Sequence, residues 1–142
     1  MNEKITGGCL CGKLTYEVPG PITSIDYCHC LRCRKASGSA FAAVTSVSKS
    51  RFKITAGLQY LKSYKTDAEF ERVFCSECGS QLYSIRPALA DTIRLRLGSI
   101  DTDIEGKVSA HIFAASKAVW HDICDQAPQY DQRPPMLTDR ST

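Results

Sequence analysis

No stretch of the 142 residues stays apolar over the length that a membrane span requires. Charge of one sign is also scarce. The 18 Lys and Arg stand against 15 Asp and Glu, and a net charge of +3 does not by itself argue for a nucleic-acid partner. Internal repeats, low-complexity tracts and linkers are missing. The opening MNEKITGG lacks the apolar segment of a signal peptide, so a cytoplasmic address is expected. What remains, 43% apolar and 23% charged, is the profile of a soluble globular protein. Its length suits one domain over residues 1–142, with an ordered core at about 5–130 and a loose tail over 131–142.

Against these shortages stands an excess of cysteine. There are eight, and seven fall into three clusters: Cys9 with Cys11; Cys28, Cys30 and Cys33; Cys75 with Cys78. Cys124 stands alone and reads as a small buried apolar residue. An even count in a short chain can signal disulfides, but a reducing cytoplasm excludes that reading. Pairs spaced C-x-C and C-x-x-C are also what metal sites use, because both thiolates can turn toward one ion.

The chain between the clusters reads as strands. Leu14 to Val18 alternates and stops at Pro19-Gly20-Pro21. Phe41 to Val47, Phe52 to Thr55, Leu58 to Tyr64, Glu69 to Phe74 and Gln81 to Ile85 follow, the last two placing Cys75-x-x-Cys78 at a hairpin tip. Thr92 to Ile100 sets Ile93, Leu95 and Leu97 against Arg94, Arg96 and Gly98, as a half-buried strand does, and Val108 to Ala114 is another. Only Leu31 to Ser37 looks helical. Residues 121–142, with Pro128, Pro134 and Pro135, are expected to cross the surface as irregular chain. The fold class is all-β, with its cysteines on the connections.

Zn²⁺ in a structural role takes four ligands, and in a chemical role keeps three with one open position. Seven clustered cysteines divide into four and three. Spacing alone does not say which clusters share an ion, but Cys28, Cys30 and Cys33 can reach one without help, leaving Cys9, Cys11, Cys75 and Cys78 for the other. Cys124 or His29 could instead close the triplet as a fourth ligand. Arg32, Arg34 and Lys35 could offset the charge of three thiolates or meet an anionic substrate, or could simply form a solvated face. His111, on an alternating strand, reads as a packed histidine, and Trp120 and Tyr130 as anchors for the tail or walls of a pocket. A redox dithiol is disfavoured because no βαβ pattern surrounds either motif. A nucleic-acid module is disfavoured because Arg32, Arg34, Lys35, Lys49, Arg51 and Lys53 cluster only partly, with few aromatics between them.

The segments Gly7-Gly8-Cys9-Leu10-Cys11-Gly12, Cys28-His29-Cys30-Leu31-Arg32-Cys33-Arg34-Lys35, Gly38-Ser39-Ala40-Phe41 and Phe74-Cys75-Ser76-Glu77-Cys78-Gly79-Ser80 together resemble the glutathione-dependent formaldehyde-activating enzyme family. Gly98 to Asp101, His111 to Phe113, Lys117 and Trp120 extend the likeness. The resemblance implies several coiled antiparallel β-sheets, as in type B methionine sulfoxide reductases and a zinc-bearing exchange-factor chaperone. It implies a structural zinc on Cys9, Cys11, Cys75 and Cys78. It also implies a catalytic zinc on Cys28, Cys30 and Cys33, a site expected to be empty or partly occupied on isolation. The implied activity is that of a carbon–sulfur lyase resembling S-(hydroxymethyl)glutathione synthase, adding a glutathione-like thiol to formaldehyde or a related carbonyl. The alternative is a non-catalytic zinc- and thiol-binding protein of the same fold. The expected partner is a small-molecule thiol such as glutathione, with no nucleic acid and no membrane; the oligomeric state is left open.

Overall fold

The structure, a computed structural model, describes residues 3–134. Strand β2 (Thr15–Pro19) buries Tyr16 and Val18 and leaves Thr15 and Glu17 half-covered, the two-residue period of a strand with one face on a core. It lies between β1 (Lys4–Gly8) and β5 (Lys53–Ala56), antiparallel to both, with Ile5 opposite Val18. Gly57, just beyond β5, is in the left-handed region at φ 84°, and a Cβ there would strike the Lys13 carbonyl, so no other residue fits that close approach.

The larger sheet contains seven strands. In chain order they are β3 (Ser24–Cys28), β4 (Ala42–Ser48), β6 (Leu61–Lys65), β7 (Glu71–Cys75), β8 (Gln81–Ile85), β9 (Thr92–Arg96) and β10 (Lys107–Ile112). In space they run β10-β3-β4-β9-β8-β7-β6. The main core lies where the small sheet covers this one: Ile5, Leu14, Tyr16 and Val18 pack with Val73, Leu82, Ile93 and Leu95. Burying each of these side chains stabilises the fold by roughly 1.5–3 kcal/mol.

The all-β expectation holds, with two differences. The sheets are not wholly antiparallel, because β10 joins β3 in parallel register, Ile112 beside Cys28. Strands β1 and β3, too short and mixed to stand out by alternation, complete the two sheets. Expected strands are also trimmed, among them Leu58 to Tyr64, which opens as the 3-10 segment Leu58–Tyr60. Thr92 to Ile100 ends as a strand at Arg96 and turns through a 3-10 segment, Leu97–Ser99. That turn lets Ser99 meet the Tyr16 hydroxyl at 2.6 Å and lets the Asp101 N–H donate to the Thr6 carbonyl, tying the two sheets together. Val108 to Ala114 stops at Ile112 because Phe113 takes φ 55°, which no strand accommodates.

The one α-helix among the described residues, α1 (Leu31–Ser37), falls where the sequence placed it. Cys30 is its N-cap, its sulfur accepting the Cys33 N–H at 3.3 Å, and Gly38 ends it at φ 66°. The segment expected to wander over the surface is instead docked in part. The His111 N–H donates to the Pro128 carbonyl, and the Tyr130 N–H to that of His111, so residues 128–130 run beside β10 as a bridging ribbon. Of the tail expected at 131–142, residues 135–142 lie outside the described residues.

Candidate functional site

The seven clustered cysteines gather into two groups, divided as four and three. Cys9 and Cys11 sit on the turn after β1, and Cys75 and Cys78 on the knuckle between β7 and β8; within each group the sulfurs lie no more than 4.8 Å apart. The second group is Cys28 at the end of β3, Cys30 at the N-cap of α1 and Cys33 in its first turn. Sequence spacing explains this local convergence, because an N-cap and the residue three beyond it share one helix end.

The donor chemistry of the four-cysteine group fits a tetrahedral ion. Sulfurs about 2.3 Å from a central zinc stand roughly 3.8 Å from one another. Cys9 and Cys11 are 3.5 Å apart, and Cys11 and Cys75 are 3.9 Å apart, too far for a disulfide. Backbone N–H groups already aim at these sulfurs, Leu14 to Cys9 at 3.3 Å and Glu77 to Cys75 at 3.4 Å, as thiolates require. The Ser80 hydroxyl, 3.2 Å from Cys78, and the Ser80 backbone are foremost in lowering the Cys78 thiol to about 5. Both groups could hold a metal ion.

The three-cysteine group has a different setting. Among the described residues no fourth cysteine joins it. Cys124 is exposed and remote from both groups, which corrects its reading as a buried apolar residue and removes it as a fourth ligand. Side-chain hydrogen bonds from Cys28 and Cys33 are foremost in holding the Cys30 thiol down to about 2, while bonds with Cys30 and Cys33 are foremost in pushing Cys28 up.

Over the triplet opens a cleft of about 490 Å³. The cross-strand register shows why it forms there. Asp26 lies opposite Val44, Val44 opposite Arg96, Arg94 opposite Ser84, and Ser84 opposite Arg72. Directly opposed residues share a face, so β3, β4, β9, β8 and β7 present Cys28, Val44, Arg96, Arg94, Ser84 and Arg72 on the side away from the main core. The alternation of β9 is real, but its arginine face is covered. Arg96 is only 8% exposed. Arg94 bonds to Asp26 at 3.3 Å and to the Ser46 hydroxyl at 2.8 Å. Leu31, Phe70, Ile112 and Phe113 supply apolar wall.

Of the three cations expected beside the triplet, only Arg32 borders the cleft. Arg34 turns to the Ser116 carbonyl at 3.1 Å, and Lys35 is exposed on another side of the helix. Trp120 is 69% exposed and pins nothing, whereas Tyr130 packs against the triplet's apolar surround. Sequence reasoning missed Arg72, Arg86, Arg94, Arg96 and Arg133; the Arg94-x-Arg96 alternation was the one visible signal, and it looked like a solvent face.

His29 points away from the cleft with its ring fully buried. Its Nε2 lies 2.8 Å from His111 Nδ1, and His111 Nε2 lies 3.0 Å from both Asp125 oxygens. The carboxylate can only accept, so His111 carries its proton on Nε2, its Nδ1 accepts, and His29 donates from Nε2. Burial above all, then His111, holds His29 down to about 4, so it stays neutral. The expectation that His111 is packed is correct: it is 1% exposed and links Asp125 to His29, the residue between Cys28 and Cys30.

Residues 4–116 match the profile of a known family, glutathione-dependent formaldehyde-activating enzyme. The chain belongs to that family. Among relatives of this glutathione-dependent formaldehyde-activating enzyme family member is a Halomonas elongata protein provisionally named for the same family. It is 25% identical over 126 residues, covering 84% of this chain and 80% of its own. Aspergillus flavus and Aspergillus oryzae proteins with the same provisional name are 31% identical over 77 residues, 53% of this chain and 40% of theirs. The crystal structure of a Rhodobacter sphaeroides protein shares the fold, with a TM-score of 0.58 at 18% identity over 72% of this chain and 99% of that one. No helix of the described residues is long and apolar enough to cross a membrane.

Proposed function

We propose that the chain is a zinc-dependent carbon–sulfur lyase that adds a thiol of the glutathione type to formaldehyde or a related carbonyl. The observation that carries this reading is the placement of Cys28, Cys30 and Cys33 in the floor of a cationic cleft, while Cys9, Cys11, Cys75 and Cys78 tie the fold together elsewhere. In this reading the four-cysteine group holds a structural zinc, the triplet a catalytic one, and residues 1–142 act as a single domain. A cytoplasmic location suits eight cysteines that are all unpaired.

The reaction joins the thiol sulfur to the carbonyl carbon; the carbonyl π bond becomes a C–O single bond, and the thiol proton ends on that oxygen. Zinc on the triplet would supply one open position and a lowered thiol pKa, worth at most ~2 kcal/mol at pH 7 against a free thiol of pKa ~8.5. The chain's own residues do the remainder. Arg32, Arg72 and Arg96 hold the anionic thiol over the triplet and favour an ionised sulfur. Leu31, Ile112 and Phe113 keep water from the reacting atoms, which strengthens those charges. Orienting two reactants in one cleft removes the entropy of encounter, the largest gain available here. The Asp125–His111–His29 chain keeps Cys28 and Cys30 in register and moves no proton.

The test is the exchange rate between formaldehyde and its glutathione adduct, measured above the uncatalysed background. Wild type should accelerate exchange and Cys30→Ser at equal concentration should not. Equal rates for the two would overturn the lyase reading.

A further inference from the structure

Six arginines line the cleft, namely Arg32, Arg72, Arg86, Arg94, Arg96 and Arg133, and among the described residues no acidic side chain lines it. The balance of charge is open. Asp26, behind the wall, offsets Arg94 at 3.3 Å. Three thiolates with one divalent cation would bring a single negative charge, offsetting a second arginine. Four positive charges remain. Glutathione carries two carboxylates and one ammonium, and with its sulfur ionised it brings two negative charges. It leaves the cleft short by two.

Hydrogen bonding points the same way. Arg72 Nη1 and Arg86 Nε are buried with no acceptor among the described residues. A buried guanidinium N–H without a partner is costly, and a fold retains it where a ligand supplies the acceptor. Arg133 lies over the Phe113 ring at 5.1 Å, which fixes its plane but satisfies none of its donors. Burial first, then repulsion by Arg133 and after it Arg94, depresses Arg86, and burial likewise depresses Arg133 and Arg96. Arg86, which follows β8, and Arg133, from the C-terminal segment, thus bring two guanidinium groups to the cleft close enough to repel one another.

We propose that the arginine cluster around Arg86 and Arg133 is a binding site for a multiply charged oxyanion, so that the natural thiol bears a phosphate or a set of three or more carboxylates rather than the charge of glutathione. The proposal rests on the lyase reading only for the word thiol; the anion site stands on the arginines alone. Planar guanidinium groups gathered in one cleft suit bidentate contact to phosphate or carboxylate oxygens.

The experiment is calorimetry at constant ionic strength with inorganic phosphate, pyrophosphate, citrate, glutathione and 4′-phosphopantetheine beside its dephosphorylated form. The proteins are wild type, Cys30→Ser, Arg86→Gln, Arg133→Gln and the remote control Lys53→Gln. Pyrophosphate or citrate should bind wild type, Cys30→Ser and Lys53→Gln alike, and glutathione should compete. Arg86→Gln and Arg133→Gln should each weaken binding at least roughly tenfold, the loss expected of a charged hydrogen bond. If phosphate is the true group, pyrophosphate will bind more tightly than citrate and the phosphorylated thiol at least tenfold more tightly than its dephosphorylated form; if carboxylates are, citrate will lead. Failure of every multivalent anion to bind, or binding by Arg86→Gln and Arg133→Gln as tight as by wild type, overturns the proposal even where formaldehyde exchange is fast. Anion binding with no acceleration of exchange overturns the lyase reading and leaves this one standing.

Discussion

Replacing Cys75 by serine should destabilise the protein far more than replacing Cys30, and the structure gives the size of the difference. Cys75 is fully buried in the main core, and its sulfur lies 3.9 Å from that of Cys11, 64 residues earlier in the chain. An ion shared by these cysteines closes a loop of that length, whereas the triplet's ion spans only a few residues. Loop-closure entropy makes the long cross-link worth ~4 kcal/mol and the short one ~2 kcal/mol. Serine at position 75 adds a hydroxyl without an assured partner in apolar surroundings, a further ~1–3 kcal/mol. For a chain of this size 1 kcal/mol moves the thermal midpoint by roughly 3–4 °C. Cys75→Ser should therefore fall by ~15 °C or more, or fail to stay soluble, and Cys30→Ser by ~7 °C or less. The assay is thermal unfolding with parallel metal analysis. Equal falls in midpoint, or a Cys75→Ser protein that loses one metal with no change in stability, would refute the division into a structural and an open site.

The two metals should also part company under chelation. Graded chelator should first remove a metal held by Cys28, Cys30 and Cys33 without unfolding, because that set offers one protein ligand fewer; simultaneous loss with unfolding would contradict it. Alkaline stability should depend on Tyr16, whose burial raises its phenol to about 12. Because the folded pKa is the higher one, stability is intact below pH ~10 and falls by ~2–3 kcal/mol as pH rises toward 12; Tyr16→Phe should flatten that decline in denaturant titrations, and an unchanged slope would oppose the account. Arg32, exposed at the rim and 5.8 Å from the Phe70 ring, should matter less than the buried arginines. Arg32→Ala should weaken glutathione binding by under ~1 kcal/mol in calorimetry, and a larger loss would place Arg32 in the sheltered part of the cleft.

Some of this was legible without coordinates because it depends on near neighbours in the chain. The C-x-C-x-x-C run places three sulfurs at one helix end whatever the rest of the chain does, since N-cap geometry is local. Strand periodicity in β2 and β9 reflects one core face each, and a two-residue period is equally local. The pairing of Cys9 and Cys11 with Cys75 and Cys78 was inferred by elimination and by resemblance. Only the tertiary structure brings them together, because nothing in either segment encodes a partner 64 residues away. The arginine cleft lies furthest beyond sequence reasoning. Arg72, Arg86, Arg94, Arg96 and Arg133 come from two strands, the connection after β8 and the C-terminal segment. On the page they are ordinary surface charges. The cross-strand register decides otherwise, setting 72, 84 and 94 in one row and 44 beside 96. Register arises from packing Ile93 and Leu95 against the small sheet; burying that face turned the arginines toward the cysteines, and composition alone could not have shown it.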